Sequence, residues 1–170
     1  QGKTLPDKPV VLTFDDGYED NYTNAFPLLK KYSMTAYFFV LTDVTTEGRT
    51  GYMTWPQLAE MSAAGEHIGA HGRNHLQAFR GKSRDFLNWH ALGTMEAIQQ
   101  HLGYHPRWVA YPTGAYDDLT MEVFHSAGFV GGLSTEPGAT HRPDTLFHLS
   151  RVRVHGNYSA EELGRVLKAS

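Results

Sequence analysis

Two carboxylates stand side by side at Asp15 and Asp16, and two imidazoles stand four residues apart at His71 and His75. One carboxylate and two imidazoles make a facial set that can hold a divalent ion while leaving positions open for water and substrate. The neighbouring carboxylate is then available as a base. Each half alone is ambiguous. Asp15-Asp16-Gly17 is also a good turn sequence, and a chain with ten histidines places two of them four apart by chance often enough. The imidazoles could face one point if their segment starts a helical turn, and the carboxylates could diverge if their backbone is extended. A third candidate is Tyr111-Pro112-Thr113-Gly114. Pro fixes the backbone there and Gly permits a close approach, so the N–H of Thr113 can face a ligand, although an ordinary turn reads the same way.

The surrounding pattern supplies the elements that must position these groups. Residues 10–14 form an apolar, β-branched run introduced by Pro9 and stopped by Asp15-Asp16-Gly17, which predicts a buried strand with both carboxylates at its C-terminal end. Helical spacing covers 21–32, a strand 35–41, and a polar loop 42–54. A helix over 55–64 closes at Gly65, and a strand over 68–70 leads into His71. The rhythm continues with a helix over 84–102, a strand over 108–111, a helix over 119–127 and a strand over 129–133. A strand over 147–154 and a helix over 160–169 opened by Ser159 end the chain. Alternating strands and helices imply an α/β fold with a parallel sheet, either open or closed into a barrel. In both, functional groups gather at the C-terminal strand ends, where all three candidate segments fall.

A chain of 170 residues with 41% hydrophobic content fits one domain over 1–170, with linker-like composition only in the N-terminal extension 1–8. The net charge of −3 and the absence of cysteine narrow its chemistry. Scattered charges of both signs give no basic stripe for nucleic acid or anionic lipid. Any metal must sit on histidine and carboxylate. No apolar run approaches the roughly 20 residues of a membrane-spanning helix.

The order Thr13-Phe14-Asp15-Asp16-Gly17, then His71-Gly72-Arg73-Asn74-His75, then Ala110-Tyr111-Pro112-Thr113-Gly114 resembles the polysaccharide deacetylases with a NodB homology domain, carbohydrate esterase family 4. Tyr52-Met53-Thr54-Trp55 and Gly65-Glu66-His67-Ile68-Gly69-Ala70-His71 are similar to its poly-N-acetylglucosamine deacetylase branch. The likeness runs from about Pro9 to Val154. It implies a distorted, incomplete (β/α) barrel of TIM-like type. It also implies Asp16, His71 and His75 as ligands of a divalent ion, zinc first and cobalt or nickel as alternatives, with Asp15 as general base. The implied reaction releases acetate from N-acetylglucosamine-containing polysaccharide or oligosaccharide, with the Thr113 N–H at the oxyanion. The implied protein is a monomer acting outside the cytoplasm, whether extracellular, periplasmic or at the cell surface.

Two positions depart from the family pattern. Ala110 stands where an Arg usually orients the base, leaving Arg151 or Arg153 to take its place. Leu149-Ser150-Arg151 replaces a Leu-x-His that usually carries the general acid; on an extended strand Leu149, Arg151, Arg153 and His155 share one face, which leaves His155 and a protonated Asp15 as the two candidate proton donors. The departures keep alternatives open: a deacetylase of peptidoglycan, chitin or acetylxylan, or a catalytically inactive carbohydrate-binding homologue. Trp55, Trp89 and Trp108 read either as sugar contacts or as core, and Tyr18, Tyr111 and Tyr116 lie nearer the inferred rim.

Overall fold

The computed structural model describes residues 7, 9–75 and 77–169; the extension expected over 1–8 lies outside them except for Asp7. Six strands form one sheet: β1 (Leu12–Phe14), β2 (Ala36–Val40), β3 (His67–Ala70), β4 (Trp108–Ala110), β5 (Gly131–Pro137) and β6 (Leu149–Arg151). Every neighbouring pair is parallel, and the spatial order is the order along the chain. The helices are α1 (Phe26–Lys31), α2 (Thr42–Thr46), α3 (Trp55–Ala63), α4 (Arg84–Leu102), α5 (Asp118–Ser126) and α6 (Ala160–Ala169).

That order decides between the two architectures the sequence allowed. A doubly wound sheet reverses direction at a switch point. Here the order never reverses, so right-handed crossovers place successive helices on one face and the sheet curls. The result is an incomplete (β/α) barrel with β1 and β6 as its edges, as the resemblance implied. A side chain spans the gap: Arg151, at the end of β6, donates to Thr13 Oγ1 of β1 at 3.2 Å.

The two-residue alternation of the strands splits the core. On the helix side of β2, Phe38 and Val40 pack with Phe26, Leu29, Leu58, Met61 and Ile68. A second helix-side cluster gathers Phe79, Leu87, Val109, Tyr111, Phe124 and Phe129. Phe39 turns the other way, into the curl, with Ala110, Leu133 and the partly buried Trp108 and Leu149. Burying each such large side chain contributes roughly 1.5–3 kcal/mol.

Helix ends follow their sequence signals. Thr54 and Gln57 form a reciprocal capping box at α3, Ser83 and Asp117 cap α4 and α5, and Gly103 closes α4 at φ 81°. Ser159 and Glu162 make the same reciprocal pair ahead of α6. Several elements differ from the sequence reading, among them β5, expected over 129–133 and observed at Gly131–Pro137. The supposed loop 42–54 contains α2, whose Thr-Asp-Val-Thr-Thr sequence has poor helix propensity; the N–H groups of Thr42 and Asp43 are instead taken by the carbonyls of Gly72 and Arg73 at 3.3 and 2.8 Å. The helix expected over 21–32 opens as a π-helical turn, Asn21–Ala25. The last strand stops at Arg151 rather than 154, so Arg153 and His155 lie beyond the sheet.

Candidate metal centre and active site

Asp15 and Asp16 leave the end of β1 in different directions because the backbone turns sharply there. Asp16 has φ 73° and Gly17 φ 78°. Non-glycine residues rarely occupy this left-handed region, and it is commonest in turns and at functional sites. The extended backbone invoked from sequence is therefore not what separates the two carboxylates. Gly17 could not be larger without crowding, since a Cβ there would meet Val40 Cγ1 at 3.2 Å.

His71 follows β3 and is buried, whereas the side chain of His75 is 39% exposed. The segment between them is an irregular turn, not the start of a helix. Gly72 makes the bend at φ 81°, and a Cβ on it would stand 3.0 Å from both His90 Nδ1 and Phe79 Cζ. The bend brings the two rings to 5.5 Å between centroids. His71 Nε2 and His75 Nε2 lie 3.3 and 3.7 Å from Asp16 Oδ1. The ligand atoms of Asp16, His71 and His75 are all within 4.8 Å of one another, the one such trio among the described residues.

The protons are arranged to suit a cation. His71 Nδ1 lies 2.7 Å from the Ala110 carbonyl at the end of β4. A carbonyl only accepts, so Nδ1 donates to it, which fixes the ring with Nε2 facing the trio. The hydrogen bond from His71 holds the Asp16 carboxyl below the usual carboxylate range; burial opposes this, and the charges of His71 and His75 add to it. Two imidazole nitrogens and one carboxylate oxygen, with one ring locked from behind and one on the rim, fit a divalent ion with open positions.

Asp15 is held by the opposite edge of the barrel. Arg151 Nη1 donates to Asp15 Oδ1 at 2.8 Å and Nη2 to Oδ2 at 2.6 Å, and its Nε is fixed on the Ser134 carbonyl at 2.9 Å. This fork-to-carboxylate pairing fixes direction as well as charge. The arginine missing at Ala110 is thus supplied by Arg151; Arg153 is exposed past the strand. Ala110 itself is fully buried inside the curl beside Phe39 and Leu133.

Thr113 sits on the third strand-end turn at φ 61°, the second site residue in the left-handed region. The turn is tight because Gly114 leaves no room: a Cβ on it would lie 2.0 Å from Thr135 Oγ1. His155 is exposed, its ring 5.2 Å from that of Tyr158, and it takes no part in the trio. Of the rim tyrosines, Tyr18 is 46% exposed and stacked on Tyr52, whereas Tyr111 is fully buried and donates to the Phe147 carbonyl at 2.9 Å. Trp55 stacks on His101 and Trp108 packs inside the curl, while Trp89 is 44% exposed beneath Arg73.

A sequence model of the polysaccharide deacetylase family matches residues 2–132. YxkH of Bacillus subtilis (strain 168), which carries the polysaccharide deacetylase name, is 31% identical over 169 residues; the match takes in 99% of this chain but only 60% of that protein. The poly-beta-1,6-N-acetyl-D-glucosamine N-deacetylase of Escherichia coli (strain K12) is 36% identical over 74 residues, covering 36% of this chain and 11% of the relative. Among solved structures, the Streptococcus pyogenes deacetylase PplD in complex with acetate superimposes with a TM-score of 0.90 at 31% identity, over 96% of this chain and 73% of that one.

Proposed function

Because this chain belongs to the polysaccharide deacetylase family, we propose that it is a metal-dependent hydrolase that removes N-acetyl groups from N-acetylglucosamine-containing polysaccharide and releases acetate. The observation that carries the reading is the convergence of Asp16, His71 and His75 on one point beside an Asp15 gripped by Arg151. The likeness to a poly-beta-1,6-N-acetyl-D-glucosamine deacetylase supports the sugar, and the acetate complex of the streptococcal relative supports the released product. Because the chain spans 60% of the length of YxkH, activity and substrate are proposed for this domain alone. A polymer of this kind lies outside the cytoplasm, which supports a reaction at the cell surface, in a periplasm or in the medium.

Asp16, His71 and His75 would hold the ion, zinc first, which would supply Lewis acidity and make water at the site acidic enough to deprotonate near neutral pH. Asp15 would take the proton of the attacking water while Arg151 keeps the carboxylate in place. The N–H of Thr113 donates to the oxyanion that develops on the acetamide oxygen. Expulsion of an amide anion is prohibitive, so the leaving nitrogen needs a proton, from Asp15 on its second task or from His155. The position of His155 past the end of β6 favours Asp15.

The inactive carbohydrate-binding alternative rested on the missing arginine and the displaced histidine, and the Arg151 pair with Asp15 speaks against the first of these grounds. The test is acetate release from an oligomer of N-acetylglucosamine by protein of known metal content. Wild type is expected to turn over with close to one ion bound, and Asp16→Ala to lose both; sugar binding without acetate release after zinc, cobalt or nickel is added refutes the enzyme reading. Peptidoglycan, chitin and acetylxylan tested in parallel rank the polymers.

A further inference from the structure

The turn that joins the two imidazoles is gripped by residues of α2 and α4. Arg73 stands between His71 and His75. Its Nε donates to Asp43 Oδ1 at 2.9 Å, and its guanidinium lies 4.1 Å from the centre of the Trp89 ring. Its backbone N–H donates to His90 Nδ1 at 3.1 Å. Burial keeps that imidazole neutral, with a pKa of about 4, and so able to accept. On the opposite side, the carbonyls of Gly72 and Arg73 accept from the first N–H groups of α2. The peptide groups between the two histidines are therefore held by α2 and α4 together.

The sequence of α4 departs from good helix chemistry where Arg73 crosses it. Gly93 lies near the middle of a 19-residue helix, where glycine costs about 1 kcal/mol relative to alanine. A Cβ at Gly93 would stand 2.8 Å from both Cδ and Nη1 of Arg73. Trp89, one turn earlier, is 44% exposed and lies beneath the guanidinium. Helix propensity has been given up at the one place where it would dislodge this side chain.

We propose that Arg73, seated on Trp89 and Gly93 and tied to Asp43, is a positioning residue that sets the span between His71 and His75 and so governs the affinity of the site for its divalent ion. The inference rests on the proposed function only in requiring that an ion binds there. His75 is the exposed ligand and depends on the turn for its placement; if the turn is loosened, ion binding must also order it. Residues that orient metal ligands in this way typically change affinity by about 10–100-fold.

The test is the dissociation constant of Zn2+, or of Co2+ read by its visible absorption, on metal-stripped protein, with no activity measurement. Arg73→Ala and Gly93→Ala are expected to weaken binding by about 10–100-fold, and Arg73→Lys by less, because it keeps the charge opposite Asp43 but loses the flat fork over Trp89. Gly93→Ala decides the matter even if Arg73→Ala folds poorly. If Arg73 serves only fold stability, the extra methyl leaves ion affinity unchanged; here it should weaken affinity although the substitution favours helix. Arg84→Ala, which breaks the exposed pair with Glu122 at 3.0 Å, should leave ion affinity at the wild-type value. Wild-type affinity in folded Gly93→Ala and Arg73→Lys overturns the inference alone. A wild-type protein that binds no divalent ion overturns both it and the metal-dependent reading.

Discussion

Asp15 owes its orientation to a strand more than 130 residues away in sequence, and that dependence can be measured. Replacing Arg151 by alanine removes both hydrogen bonds to the carboxylate. The Asp15 carboxylate, the proposed base, is then free to rotate, and misplacement of a catalytic group by about 1 Å can cost roughly 10²-fold. We expect kcat for acetate release to fall by about that factor in Arg151→Ala, while Arg153→Ala, past the strand, stays at wild type. Asp15→Asn should lose about 10²–10⁴-fold, the usual contribution of a positioned base. His155→Ala separates the two proton donors: unchanged kcat assigns the second proton transfer to Asp15. At His90 the measurable quantity is stability against pH. Burial holds its pKa at about 4 against an ordinary 6.5, so the unfolded chain takes up a proton in that window and the folded one does not. The contribution is fully present above pH 6.5, falls as pH drops toward 4, and levels off below. Its size is on the order of 3 kcal/mol. Urea denaturation of metal-free protein across the window should show a flatter profile for His90→Gln than for wild type.

At the scale of elements, the strand-end turns concentrate the conformational demands. Gly114 is at φ 74° with its missing Cβ directed at Thr135. Gly114→Ala therefore carries a left-handed penalty of about 1–2 kcal/mol in addition to a steric collision. It should lower both the urea midpoint and kcat, because any shift of the turn moves Thr113. The capping box of α3 gives a contrasting case: Thr54→Ala is expected to cost about 1 kcal/mol and leave kcat unchanged. Most elements were legible from periodicity, because α3, α4, α5 and β2 have long apolar stripes or runs bounded by caps and glycines. α2 was not legible. Its residues are β-branched and polar, and its N–H groups are satisfied by the turn after β3, a contact with no local signature. The shortness of β6 was equally hidden, since an alternating pattern continues past the last ladder bond at Arg151.

For the molecule as a whole, the ion would bind residues that follow β1 and β3, while the pair beside it joins the two edges of the sheet through Asp15 and Arg151. Binding to the folded state alone stabilises it: at an ion concentration of 100 times Kd the gain is about 2.7 kcal/mol, or roughly 5–10 °C in Tm for a domain of this size. Zinc should raise the Tm of the wild type by that amount and leave Asp16→Ala unmoved in a thermal melt. From residue types and spacing alone came His71 and His75 with one of the carboxylates Asp15 and Asp16 as a metal set, and the alternating elements that carry them to strand ends; the resemblance assigned Asp16 to the ion and Asp15 to the base and implied the barrel. These are local patterns, each written within one stretch of chain. Only the tertiary structure chose Arg151 over Arg153, separated the two aspartates through a left-handed backbone, buried Tyr111, and brought Asp43, Trp89, His90 and Gly93 around Arg73. Each of those outcomes depends on where one element ends relative to another, and that relation is set by packing across the fold, which no single stretch of sequence contains.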